Sequence, residues 1–165
     1  NPAVADRLSR GLADVAVMEW WDGRPGFKAQ PWRREPLKVI VAGDHPWAYR
    51  RSIAASELVG TRILGGEPRS GTGTILRKQL GSLADRLTTV DGYGSTEAVK
   101  RAVRAGHGIS IVLASTIADE IGDGLLAALD IEGTKLEKEI SIISTSSLPK
   151  QSSSARFVAF LVDGP

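Results

Sequence analysis

The residues best suited to chemistry in this chain are concentrated at Glu67–Pro68–Arg69–Ser70–Gly71–Thr72–Gly73–Thr74. A strand-like run at 61–64 leads into this stretch and a helix-like run at 74–80 leaves it. Strand, then Gly/Ser/Thr turn, then helix is the arrangement that points free backbone N–H groups at an anion. Ser70 and Thr72 add hydroxyls, and one of them is needed as the helix N-cap. Gly71 and Gly73 permit positive φ and close approach of a ligand to the backbone. The same residues also fit a plain capped helix after a tight turn. A second junction of this kind stands at Gly94, Ser95 and Thr96, ahead of another helix pattern. With Arg69 adding positive charge, the pair suggests a site for an anionic small molecule built from Arg69, Ser70, Gly71, Thr72, Gly94 and Ser95.

Several other chemistries fail on the same residues. Gly66 to Gly71 has the spacing that opens a phosphate loop, but Thr72–Gly73 stands where Lys–Ser/Thr is required, which argues against nucleotide hydrolysis. No cysteine is present, so disulfides, thiolate metal sites and thiol nucleophiles are excluded. The two histidines, His45 and His107, lack metal-ligand spacing, and His45 before Pro46 reads as a turn residue. No Ser/His/Asp arrangement, metal set or cofactor fingerprint marks an enzyme, and no cofactor is expected. Lys plus Arg is 21 and Asp plus Glu is 19, a net charge of +2, too even to imply nucleic-acid binding by this part of the chain. Hydrophobic residues make up 42% of 165, enough for a core. No apolar run of about 18 residues exists to span a membrane. Asp6, Arg7 and Arg10 interrupt any signal-peptide core.

The elements that must position the site alternate along the chain. Asn1–Pro2 reads as an N-cap and first helical residue, with Val4, Leu8 and Leu12 as the helical stripe. A strand follows at 14–19. A loop at 20–26 carries Trp20 and Trp21, which either line a cleft or cover the core. The next strand is placed at 37–42, a helical turn at 56–58 and a strand at 87–90. The helix after Ser95 or Thr96 presents Val99, Ala102 and Val103 and stops at Gly106 as a C′ glycine. A buried strand at 109–113, a short helix at 115–121 closed by Gly122, and strands at 125–131 and 139–144 follow. The last helix takes Phe157, Phe160 and Leu161 as its apolar face. This alternation argues an α/β fold with a parallel or mixed sheet flanked by helices, and ligands bind such sheets at the carboxyl ends of strands.

The series of motifs resembles the effector-binding domain of LysR-type transcriptional regulators. The residues concerned are Leu12–Ala13–Asp14–Val15–Ala16–Val17, Asp44–His45–Pro46–Trp47–Ala48, Glu67 to Thr72, Gly94 to Val103, Ala105 to Ile111, and Ser154 to Leu161. The loop and the 94–111 segment are most similar to the branch of sulfur-assimilation and carbon-fixation regulators. The resemblance implies a two-lobed type 2 periplasmic-binding-protein-like fold, with effector in the cleft and lobe I at 1–41 plus 141–165, lobe II at 42–140. It also implies a homodimer or homotetramer, a cytoplasmic location, and DNA contact only through a helix-turn-helix that is absent here. Lobe I is expected to be incomplete, lacking its opening strand–helix–strand portion. Arg69 and Gly73 stand where the family's loop more often has Gly and Arg. A solute-binding protein of a transport system shares the fold and is the competing reading, which an upstream helix-turn-helix or signal peptide would decide.

Overall fold

The computed structural model describes residues 2–19, 21–68 and 70–164. The expected Asn1 cap and the Trp20 half of the tryptophan pair lie outside these residues. Contacts divide the chain into two compact units, residues 1–34 with 139–165 and residues 35–138. Two long strands, β2 (Phe27–Ala42) and β8 (Glu137–Thr145), pass from one to the other along the chain. No helix among the described residues is long and apolar enough to cross a membrane.

In the first unit, helix α1 (Pro2–Ser9) packs on strand β1 (Val15–Met18), which pairs antiparallel with β8 from Val15↔Ser144 to Met18↔Ser141. Ala5, Leu8, Ala16, Met18 and Ile143 form the core, with Trp21 edge-on to Phe27 at 5.5 Å. The stripe differs from the sequence expectation at its end. Leu12 is 56% exposed, because Gly11 turns the chain at φ +65 and the Leu12 amide closes back on the Arg7 carbonyl. The final helix, here labelled α5 (Ser153–Asp163), is capped by Ser152. None of its residues is buried, and Phe157 and Phe160 of its apolar face are 50% and 58% exposed.

The first half of β2 escaped the sequence reading. Residues 27–34 are mostly exposed, and Pro31 and the run Trp32–Arg33–Arg34 interrupt the short alternation that begins at Phe27. The chain there is held by the Trp32 indole donating to the Leu161 carbonyl at 2.6 Å and by the Arg34–Glu139 pair at 3.3 Å. These are long-range partners that a local pattern cannot reveal.

The second unit is layered. Its mixed sheet runs β6 (Ser110–Leu113), β2, β7 (Leu126–Ile131), β3 (Ser52–Ile53), antiparallel except for the last pair. Strands β4 (Arg62–Leu64) and β5 (Thr88–Val90) pair in parallel. Alternate residues of each strand enter opposite cores. Val39, Val41, Ile63 and Ile111 join Leu76 of helix α2 (Gly71–Leu80) and Leu58 of the helical turn Ala55–Leu58, whereas Ile40, Leu64 and Val112 join Val99 and Val103 of helix α3 (Thr96–Arg104). Period-two side chains on a sheet covered on both faces produce the continuous apolar runs seen in the sequence. Each fully buried Ile or Leu contributes roughly 1.5–3 kcal/mol, so this packing fixes the layers rather than helix propensity.

Two helix ends show how local chemistry can succeed or mislead. Gly106 is the expected C′ residue: φ is +76, its amide bonds Val103 and the His107 amide bonds Ala102. Helix α4 (Ala118–Gly122) instead includes Gly122, and the stop falls at Gly124. Gly124 has φ +69, and the amides of Gly124 and Leu125 return to Ile121 and Glu120.

Candidate functional site

Parallel pairing of β4 and β5 ends with Leu64 beside Val90. Each strand then runs into a glycine-containing loop and a helix, so both loops emerge at the same edge. The Gly65 amide bonds the Val90 carbonyl at 2.7 Å and holds the two loop starts together. The first loop leads to α2, whose N-cap is Ser70; its hydroxyl accepts from the Gly73 amide at 3.0 Å and donates to the Glu67 carbonyl at 2.8 Å. Only glycine fits at position 73, where a Cβ would overlap the Glu67 carbonyl oxygen and stand 2.8 Å from that of Gly66. The second loop leads to α3, whose N-cap is Ser95, accepting from the Ala98 amide at 3.2 Å.

Between these helix starts lies a cleft of about 290 Å³. It is lined by Thr72, Gly94, Ser95 and Thr96 at the helix starts, by Glu67, Asp91 and Tyr93 in the loops, and by Val99, Ser110 and Val112. Two helix N-termini aimed at one space supply unpaired N–H groups and two positive dipole ends, each worth about 0.3–1 kcal/mol to an anion at an exposed site. The hydroxyls are not equivalent. The proton of Ser70 is engaged by Glu67, and that of Ser110 by the Leu64 carbonyl at 2.6 Å. Those of Thr72, Ser95 and Thr96 donate to no other described residue and remain available to a ligand.

The LysR substrate binding domain family model matches residues 1–164. The chain belongs to this family. It is 34% identical over 134 residues to the RuBisCO operon transcriptional regulator of Acidithiobacillus ferrooxidans, covering 81% of this chain and 43% of that protein. It is 31% identical over 139 residues to the transcriptional regulator CbbR of Rhodospirillum rubrum, covering 82% and 45%. This LysR substrate binding domain thus spans less than half the length of these relatives. Its fold superposes on the effector binding domain of QuiR in complex with shikimate, with TM-score 0.81, 19% identity and coverage of 98% of this chain and 76% of that one. The Synechocystis PCC6803 CcmR regulatory domain in complex with 2-PG gives 0.77, 22%, 98% and 77%. These likenesses show the two-lobed periplasmic-binding-protein-like fold.

In this LysR domain, Ser70, Thr72, Gly94 and Ser95 line one cleft. Gly71 does not line it; it packs against Lys138, whose ammonium is 3.5 Å from where a Cβ on Gly71 would stand. Arg69 lies outside the described residues. Sequence reasoning named Glu67 and Thr96 within the two junctions but did not assign Asp91, Tyr93 or Ser110 to the cleft. A signal existed for Ser110, a lone hydroxyl within an otherwise apolar strand. Lys138, buried at 8% exposure beside the α2 start, carried no local signal.

His45 keeps the turn role expected of it. Its Nδ1 accepts from the Trp47 amide at 3.1 Å, its ring meets Trp47 edge-on, and burial pushes its pKa down.

Proposed function

We propose that this chain is the ligand-sensing part of a LysR-type transcriptional regulator, holding a small anionic metabolite at the starts of α2 and α3. The observation that supports this most is the opening of two serine-capped helix N-termini onto one cleft. Thr72, Gly94 and Ser95 contact the anion, while Ser70 and Gly71 shape the turn that presents it. Arg69 adds positive charge from the loop. The relatives' names support a regulatory role, which asks the site for recognition and release rather than for catalysis. In the full-length protein, binding would alter DNA contact by a separate helix-turn-helix within a homodimer or homotetramer in the cytoplasm.

Calorimetric titration with small carboxylates, phosphates and sulfur oxyanions tests the site. Saturable binding that weakens on Thr72→Val is the expected result. Uniform failure of all three classes overturns this assignment.

A further inference from the structure

We propose that the metabolite recognised in this cleft is an acid that also carries O–H or N–H donors, not a bare oxyanion. This rests on the anion-binding reading above and narrows its ligand class. The lining divides by hydrogen-bond character. Donors gather at the two helix starts, where Thr72, Ser95 and Thr96 keep their hydroxyl protons. Acceptors belong to the loops and to β6. Glu67 and Asp91 both line the same space, and their carboxylates only accept. Ser110 is 2% exposed and its proton is fixed on the Leu64 carbonyl, so toward a ligand its oxygen also only accepts.

Sulfate or a fully ionised phosphate monoester would share about 290 Å³ with two acidic residues and give them no hydrogen to accept. Like charges at that range repel, and Ser110 would be left facing an acceptor. A ligand with its acid group at the helix starts and hydroxyl or ammonium groups toward Glu67, Asp91 and Ser110 satisfies both sides. Tyr93 also lines the cleft and offers apolar surface to its carbon skeleton.

Calorimetry at fixed ionic strength and about pH 8, where phosphate monoesters are doubly ionised, tests this with matched ligand pairs on the 165-residue chain. Propionate is compared with glycerate and with alanine, and methyl phosphate with glycerol phosphate; sulfate is the bare reference. The glycerate and alanine arms separate hydroxyl from ammonium donors. Donor-bearing ligands are expected to bind about tenfold or more tightly than their parents, the increment of one good hydrogen bond to a charged group. Asp91→Ala, in an exposed loop, should remove most of that advantage while leaving the parents bound equally or more tightly. Glu67→Gln is the second variant, with melting curves of both confirming the fold. Equal affinity within each pair overturns the proposal and leaves the anion site standing, as does an advantage that survives in both variants. Failure of every ligand overturns the anion site as well.

Discussion

Arg50 and Glu57 form a two-point ion pair, Nη1 to Oε1 at 2.7 Å and Nη2 to Oε2 at 2.8 Å. The same Oε2 accepts the Ala54 amide at 2.9 Å, capping the one-turn helix Ala55–Leu58 from its third residue. Ala54 has no side-chain acceptor to return the bond, so Glu57 alone closes this turn. Arg50 first, and then the Ala54 amide, hold the Glu57 carboxyl at a pKa of about 2.

A depressed carboxylate pKa stabilises the fold fully above the ordinary value of 4.5. That contribution is lost as pH falls toward about 2. Glu57→Gln keeps an acceptor for Ala54 and removes the charge. Its melting temperature should lie below that of the parent chain at neutral pH, and the gap should close as both are acidified toward about 2. A gap independent of pH would remove the ion pair from this account.

Ser70 and Thr72 should separate stability from binding. Ser70→Ala removes the hydroxyl that holds Glu67 and Gly73, and should lower stability by about 1 kcal/mol. Thr72→Val keeps the shape and removes an uncommitted hydroxyl. It should leave the melting temperature nearly unchanged while weakening anion affinity about tenfold. Denaturant melts beside calorimetry of both variants check this.

Gly106→Val should destabilise by about 1–3 kcal/mol. Nothing lies within 4 Å of a Cβ at Gly106, so the loss comes from forcing a β-branched residue to φ +76 and not from a clash. Gly106→Asn should be milder, since Asn tolerates this backbone conformation better. Equal melting temperatures for all three chains would contradict the αL stop.

The Lys100 ammonium is nearly buried and bonds Glu97 at 2.5 Å, Glu120 at 2.6 Å and the Thr116 carbonyl at 2.8 Å. Burial works against its charge, but Glu120 and then Glu97 outweigh burial and raise its pKa. Lys100→Met leaves Glu120 and the Thr116 carbonyl without their donor and should cost about 1–3 kcal/mol in denaturant melts. Adding Glu120→Gln should recover part of that loss, because the uncompensated charge is gone. Strictly additive losses would show that the pair is not coupled.

The sequence by itself determined what is settled within one helical turn. Ser70, Ser95 and Ser152 each satisfy an amide three residues on, and the Gly106 turn closes through Val103 and Ala102, so all four are legible locally. The two-faced burial of β2 at 37–42 was likewise visible as an apolar run. Only the tertiary structure decided that the Ser70 and Ser95 helix starts meet. That depends on β4 pairing in parallel with β5 across the whole of α2, and no local pattern specifies the neighbour of a strand. The same holds for the polar half of β2, held by Leu161 and Glu139, and for Ser110, placed under the cleft by its bond to Leu64. Gly122 and Gly124 differ for this reason too: either could stop α4, and the choice fell where the chain must turn into β7. Caps and turns are short-range hydrogen-bond problems with few local solutions. Cleft residues are joined by strand pairing between distant segments, and that pairing is selected by burial of the whole sheet.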